Sequence, residues 1–340
     1  MVGVSRFFQF IFAATFLFSS LSNAMISPRI VGGNDTTIEA HPWQIWLSNA
    51  QTNTYCGGVI IAEQWVLTAA HCVSEVNNIL MTPASAEQIE VYYGETEFSY
   101  SSPSQYGELL YVHQDYYSSS SQIINDIALI YLSSPLVFSD SVAAIDLATT
   151  SVDSTISQLR SIDRALVVTG WGRTTNNSNS GSDTLQEVSL SYVSDSSCRA
   201  SWSNLDNSSQ LCASTDNGQD SCNGDSGGPL SYNLNGIDYL VGLVSYGDGN
   251  GCASGVPGVY SQISYFVDWI DQVQAGDIEP TSEARVVTSD SSGGGGGGSI
   301  GFIMMLSLFS LMVCRLQRPA LCYKKSLFYD LGIRLLLNKN

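Results

Sequence analysis

Short apolar or alternating runs recur along this chain, and polar turns rich in glycine and serine separate them. The runs fall at 43–47, 58–61, 89–93, 127–132, 166–169, 185–192, 239–245 and 258–263. Alternation buries one face of a strand and wets the other, so the pattern predicts strands. Many short strands divided by turns imply an all-β sandwich or barrel. One stretch breaks the pattern. In Tyr265 to Val273 the apolar residues Phe266, Ile270 and Val273 recur at helical spacing, which predicts one helix near the end of the domain.

The two ends do not continue this pattern. Residues 1–24 carry an early Arg6, an apolar stretch from Phe7 to Phe18 and a small-residue exit at Ser22–Asn23–Ala24. That is the layout of a signal peptide cleaved after Ala24, and it predicts an exported protein. The alternative, an amino-terminal membrane anchor, needs about 20 apolar residues, more than this run supplies. At the other end, residues 276–299 are acidic and then glycine-rich, with six glycines at Gly293 to Gly298. Such a composition builds no core and reads as a linker. The apolar residues 300–314 that follow predict a short transmembrane segment, one that relies on its flanks to span. Residues 315–340 hold six basic groups against one acid, Asp330, which favours cytoplasmic retention of this basic tail.

Charge narrows the function classes. The chain has 13 basic and 31 acidic residues and a net charge of −18. Phosphate binding needs Lys and Arg, so no nucleic-acid partner is expected. Residues 30–276 contain no lysine and four arginines against 26 acids. A negative surface of this kind attracts cationic substrates, less so as salt rises.

There are eight cysteines, and Cys314 and Cys322 lie in or after the apolar tail segment. The other six are Cys56, Cys72, Cys198, Cys212, Cys222 and Cys252. An even number in an exported domain reads as disulfides, and six cysteines allow 15 connectivities. Metal ligation would need CxxC pairs or clustered histidines, which are absent, so neither metal nor cofactor is expected.

The densest chemistry lies at residues 220–229, which read DSCNGDSGGP. Glycines let backbone N–H groups turn into a small cavity, because no Cβ blocks them. Two N–H groups aimed at one point stabilise the oxyanion of a tetrahedral intermediate. Ser226 is a candidate nucleophile, provided a base removes its proton. Only three histidines exist: His41, His71 and His113. His71 follows the apolar segments 59–61 and 65–67 in LTAAHC and is the candidate base. His41 precedes Pro42 at a strand entry and His113 lies in VHQDYY, both structural positions. Asp126, in NDIALIYL, stands where a polar turn meets an apolar strand and is the candidate orienting acid. Asp115 is a rival by spacing but lacks the following strand.

The motifs TAAHC, NDIAL and GDSGGP stand in that order, with IVGG at 30–33 and GWG at 170–172. Together they resemble the trypsin-like (chymotrypsin-fold) serine proteases over residues 30 to about 272. The resemblance implies two six-stranded antiparallel β-barrels with a C-terminal helix, the first over about 30–145 and the second over about 146–275. The site would lie between them, His71 and Asp126 from the first barrel and Ser226 from the second. It implies His71 as general base and acid, and Gly224 and Ser226 as oxyanion donors. Ser245 would donate a hydrogen bond to Asp126. It also implies the pairs Cys56–Cys72, Cys198–Cys212 and Cys222–Cys252. A further bridge of many relatives would fall on Leu166 and Tyr232, so both halves are missing together.

Activation and specificity follow from the same resemblance. Residues 25–29 would be an activation propeptide, and an activating protease cutting after Arg29 would free the amine of Ile30. Asp225 would accept that amine. Asp220 sits at the floor of the primary pocket, where a carboxylate selects Lys or Arg. Ser221, Ser245, Tyr246, Gly247 and Gly258 complete the substrate-binding set. Tyr246 stands where relatives commonly have tryptophan, and Asp248–Gly249–Asn250–Gly251 makes a longer pocket lip. The glycine run, short apolar segment and basic end resemble the bacterial GlyGly-type sorting tag, which a rhomboid-type protease cuts. This chain departs from the tag by continuing to residue 340. A glycolipid signal fits less well, because its apolar tail should end the chain.

Two functions compete on these grounds. One is an exported, zymogen-activated endopeptidase that cuts protein or peptide substrates after Arg or Lys. The other is a catalytically silent binding module or adhesin at the cell surface. All three triad residues are present, where silent relatives usually lose one. The shortage of Lys and Arg in residues 30–276 also suits an enzyme that would otherwise digest itself. Asn34, Asn176 and Asn207 stand in sequons that matter only in a host that glycosylates exported proteins.

Overall fold

Six strands close into a ring in each half of the chain. The computed structural model describes residues 33–284 apart from 78–79, 120–121, 161, 174–180, 216–219, 249–250 and 253. In the first ring Ala128–Leu132 pairs with Trp65–Thr68, then Thr54–Ala62, Gln44–Asn49, Ile89–Tyr93 and Ser104–Val112 follow. Ser104–Val112 pairs back onto Ala128–Leu132 and closes the barrel. In the second ring the order is Gln186–Val193, Leu166–Gly170, Pro229–Leu234, Ile237–Tyr246, Gly258–Gln262 and Gln210–Ser214, closed by the pairing of the last with the first. All these pairings are antiparallel. Closure removes the open edges that a flat sheet would expose.

The alternating residues fill the interiors as the pattern predicts. Ile45, Leu47, Ile60, Val66, Ile89, Val91, Leu110 and Ile130 build the first interior. Leu166, Val168, Val188, Leu190, Leu230 and Tyr260 build the second. Between them lies a third apolar cluster, in which Trp43, Val59, Leu67 and Leu129 meet Leu240, Leu243 and the helix Ile263–Ala275. That helix buries Ile263, Phe266, Trp269, Ile270 and Val273 and ends at Gly276, whose φ of 75° closes the last turn. His113 packs its ring on this helix, 5.5 Å from Phe266 and 5.1 Å from Trp269. Burial therefore lowers its pKa, against the pull of Asp115.

Several elements lie outside the sequence pattern. The helices Thr150–Ile156 and Asp195–Ser201 have seven residues each and bury only two and one side chains. Turns that short leave no apolar period to read; Ser194 starts the second by accepting the Ser197 N–H. The strand Ser104–Val112 opens on polar residues and buries its apolar end only. After the terminal helix the chain crosses to the first barrel, where Ser282–Glu283 pairs with Leu110 and Leu109. At the other end Asn34–Asp35 pairs with the second barrel at Glu187 and Gln186.

No helix among the described residues is long and apolar enough to cross a membrane. The expected signal peptide (1–24), propeptide (25–29), Ile30, the glycine run, the transmembrane segment (300–314) and the basic tail (315–340) lie outside the described residues.

Candidate active site

His71 and Asp126 meet because two strands pair. Thr68, three residues before His71, is the register partner of Ala128, two residues after Asp126. Both side chains therefore leave the same end of the first barrel. His71 sits on the short helix Ala70–Val73, which the Cys56–Cys72 disulfide ties to the strand Thr54–Ala62. Asp126 is almost fully buried. Its Oδ2 lies 2.8 Å from His71 Nδ1, and its Oδ1 accepts the His71 backbone N–H at 3.0 Å. Ser245 donates to the same Oδ2 at 2.6 Å, and Ser261 donates to the Asp126 carbonyl at 2.7 Å.

The two groups set each other's charge. Burial opposes an imidazolium at His71, but the Asp126 charge and its hydrogen bond outweigh burial and raise the pKa. Burial likewise opposes the Asp126 carboxylate, yet His71 and the hydrogen bonds from Ser245 and the backbone hold it below the usual range. The bond to Nδ1 leaves Nε2 as the free ring nitrogen. About a third of the His71 side chain, 29%, stays exposed.

Ser226 stands on a turn held from every side. Asp225 N–H donates to Cys222 O at 3.0 Å, Gly228 N–H to Asp225 O at 2.8 Å and Gly227 N–H to Val244 O at 2.8 Å. The Ser226 carbonyl accepts the Gly57 N–H from the first barrel at 2.8 Å. Gly224 has φ 103°, a conformation that a side chain resists, and an added Cβ would lie 2.9 Å from Gly172 Cα.

Asp225 points away from the cleft and is fully buried. Its two oxygens accept the N–H groups of Gly172 at 2.9 Å and Cys222 at 2.8 Å. A methyl group at Gly170 or Gly172 would run into this carboxylate, which explains both glycines of GWG. Burial pushes the Asp225 pKa up to about 7, although the two N–H bonds pull the other way.

His71, Ser226, Asp220, Ser221, Ser245, Tyr246, Gly247 and Gly258 line one cleft of about 380 Å³, joined by Ile123, Asn223, Val244, Asp248 and the Cys222–Cys252 disulfide. Asp220 is buried and accepts the Ser221 N–H at 2.8 Å. Ser221 Oγ lies 3.3 Å from the Tyr260 hydroxyl. Burial, then the Asp220 charge, raises the Tyr260 pKa well above its ordinary value, so that hydroxyl stays neutral beside the carboxylate. A Cβ at Gly258 would crowd Asp220 Oδ1 at 3.3 Å, whereas one at Gly247 would meet nothing within 4 Å. Tyr246 forms an aromatic wall, edge-on to Trp202 at 5.1 Å.

Cysteine pairing matches the expected set, with Cys198 bonded to Cys212 as the third bridge. Cys56, His71 and Cys72 come close enough to suggest a metal group, but the two sulfurs are bonded to each other and cannot act as thiolates. Leu166 and Tyr232 are direct register partners on neighbouring strands, both buried. His41 pairs with Glu187 at 2.9 Å, apart from the cleft. Ser261 and Tyr260, on the strand Gly258–Gln262, support the site without a motif of their own, and Trp202 caps the helix Asp195–Ser201 and donates its indole N–H to Pro257 O.

The trypsin family model matches residues 30–270. Trypsin alpha of Drosophila erecta is 37% identical over 246 residues, covering 71% of this chain and 86% of the relative. Trypsin alpha of Drosophila melanogaster gives the same identity over the same shares. The CLIP domain-containing serine protease B4 of Anopheles gambiae is 31% identical over 264 residues, 72% of this chain and 70% of the relative. With two closed barrels and a Ser-, His- and Asp-lined cleft, the chain belongs to the trypsin family and is a trypsin-like serine endopeptidase, a hydrolase of protein substrates.

Proposed function

We propose that this endopeptidase cleaves peptide bonds after Arg or Lys through the triad Ser226, His71 and Asp126. The observation that carries the reading is the Asp126–His71 contact at 2.8 Å, in a cleft that also holds Ser226 and buried Asp220. His71 Nε2 takes the Ser226 Oγ proton as Oγ attacks the substrate carbonyl. The N–H groups of Gly224 and Ser226 receive the oxyanion, each such donor contributing about 3 kcal/mol to the barrier reduction. His71 then protonates the leaving amine, and water repeats the sequence on the acyl-enzyme. Asp126 holds the tautomer and balances the imidazolium. At the cleft floor, Asp220 meets the substrate cation, and Ser221, Ser245, Tyr246, Gly247 and Gly258 shape the channel above it.

The enzyme is made as a zymogen. An activating protease cuts after Arg29, and the Ile30 ammonium joins Asp225. Burial at Asp225 supports this reading, because a buried carboxylate gains most from a cationic partner. The signal peptide 1–24 exports the chain, and residues 30–275 form the protease domain. Behind the linker 276–299, segment 300–314 and the tail 315–340 act as a membrane anchor, removed by a rhomboid-type protease or retained.

The test is hydrolysis of Arg- and Lys-amide substrates by protein with a sequenced Ile30 amino terminus. Activity that disappears in Ser226→Ala is the expected result. Inactive enzyme with that amino terminus would sink the reading.

A further inference from the structure

The cleft has a neighbour across the catalytic turn. A second cavity, of about 270 Å³, is lined by Trp46, Tyr55, Trp171, Arg173, Asn223 and Gly224. Asn223 borders both cavities, Ser226 only the cleft and Gly224 only its neighbour. Two backbone bonds tie the walls of the second cavity to that turn. Arg173 N–H donates to Asn223 O at 2.8 Å, and Gly57 N–H, two residues beyond Tyr55, donates to Ser226 O at 2.8 Å. The aromatic walls are packed in advance. Trp46 stacks on Phe98 with ring centroids 4.0 Å apart, meets Trp171 edge-on at 6.1 Å and tilts against Tyr55 at 5.7 Å. Tyr100 donates its hydroxyl to the Tyr55 hydroxyl at 3.1 Å.

The two cavities differ in charge. Asp220 and Asp248 line the cleft, whereas Arg173 is the one charged residue among the described residues that line its neighbour. Residues 30–276 hold only four arginines, and the other three have partners. Arg160 meets the Asp163 carboxylate at 2.7 Å, and Arg199 Nε donates to Asn207 Oδ1 at 3.0 Å. Arg164, exposed ahead of the strand Leu166–Gly170, is engaged as well. Arg173 stands on a β-bridge to Gly181, partly buried, and makes no ion pair with a described residue. A guanidinium held beside aromatic walls suits a carboxylate, which it grips with two parallel hydrogen bonds.

We propose that the second cavity takes the substrate residues just after the scissile bond and that Arg173 selects Glu or Asp there. The inference rests on the cleavage after Arg or Lys proposed above. A protease cleft takes peptide as an extended strand. With the basic side chain on Asp220 and the scissile carbonyl at Gly224, the chain beyond the bond runs past Gly224 into the second cavity. Negative charge on one side of the turn and positive charge on the other thus match a basic residue followed by an acidic one. The same pairing rejects a second basic residue after the bond, because a like charge would face Arg173.

The experiment uses Ile30-terminated enzyme and fluorogenic peptides with Arg before the bond. Each of the two positions after it carries Glu, Gln or Lys in turn, and amidated ends leave the Glu side chain as the only carboxylate. At one of these positions kcat/KM for Glu should exceed that for Gln by about 3- to 10-fold, the worth of a charged hydrogen bond discounted for partial exposure. The ratio should fall towards one as salt rises. Arg173→Gln should abolish it, and Arg173→Glu should turn the preference to Lys. Enzyme that cuts these peptides after Arg with equal kcat/KM for Glu and Gln overturns the inference and spares the cleavage after Arg. A Glu preference that persists in Arg173→Gln also overturns it, because another group then reads the carboxylate. Enzyme that cuts none of the peptides removes the Arg reading and the inference together.

Discussion

Ser245 gives its hydroxyl proton to Asp126 Oδ2 at 2.6 Å, the oxygen that also faces His71. Asp126 is thus fixed from both barrels, since Ser245 lies near the end of the strand Ile237–Tyr246 of the second. Replacing Asp126 with Asn keeps the shape but removes the charge and favours the wrong His71 tautomer. The expected fall in kcat is about 10⁴-fold, the size found at this triad position in the family template. Ser245→Ala removes one charged hydrogen bond of about 1.5 kcal/mol and should lower kcat about tenfold. Steady-state kinetics on one Arg-amide substrate compares the two. The base must be neutral, so activity should rise with pH through a His71 pKa above the ordinary 6.5. In Asp126→Asn only burial remains to act on the imidazolium, and this acid limb should move to lower pH.

Asp225 predicts a second pH effect, on stability. Its carboxyl stays protonated up to about pH 7 in the folded chain but ionises near 4 when unfolded. Between those limits the folded state binds the extra proton, so stability is greatest below about pH 4 and falls as pH rises towards 7. The three-unit gap corresponds to roughly 4 kcal/mol for this buried group, as an upper bound. Once Ile30 is free, its ammonium should hold the carboxylate ionised and remove that fall. Urea midpoints of Ser226→Ala protein at pH 4.5 and 7.5, uncut and cut after Arg29, measure the difference. Equal pH dependence in the two forms would refute the Asp225 switch.

Much of this site was legible because its parts are local in sequence. Gly224, Asp225 and Ser226 are neighbours, and their turn geometry follows from glycine's freedom. Asp126 could be preferred over Asp115 because a strand follows it, and that strand's pairing with Trp65–Thr68 is what brings it to His71. Ser261 was not legible. It reaches the Asp126 carbonyl from a strand 135 residues away, and only the packing of the second barrel against the first brings the two together. Tyr260 was hidden because only strand pairing within the second barrel brings it to the cleft, and Trp202 because it sits at the end of a short helix. The helices Thr150–Ile156 and Asp195–Ser201 were hidden because a seven-residue helix needs few buried side chains and shows no period. The segment 281–284, which pairs with Ser104–Val112, carried no apolar signal, because backbone hydrogen bonds and the Thr281 hydroxyl hold it.

Asp220 gives the specificity prediction. Its carboxylate is buried beneath the cleft, so a substrate cation that reaches it sheds water and must be paired. Asp220→Ser leaves that cation unpaired, a loss of about 2–5 kcal/mol, and kcat/KM on Arg substrates should fall by about 30-fold to about 4,000-fold. Substrates with an uncharged residue at the same position should be hydrolysed relatively better. A peptide-library profile of the variant reads both effects, and an unchanged preference for Arg would show that another group selects the cation.

Leu166 and Tyr232 allow the missing fourth bridge to be tested by restoring it. They are register partners on adjacent strands of the second barrel, close enough for a disulfide to form between cysteines placed there. A bridge closing a loop of that length, 66 residues apart in sequence, would stabilise by about 4 kcal/mol through the unfolded chain. The same change removes two buried side chains from the barrel interior, Leu166 fully enclosed and Tyr232 nearly so. Truncating a buried leucine alone costs about 2–5 kcal/mol, and the tyrosine adds to it. The losses match or exceed the gain, so Leu166→Cys/Tyr232→Cys should cross-link readily by intact mass yet melt no higher than the parent. A rise in melting temperature of about 5 °C or more would mean that the interior closes around the bridge instead of leaving a cavity. Reducing the bridge should then lower the melting temperature well below the parent, because the packing loss stays when the cross-link is gone.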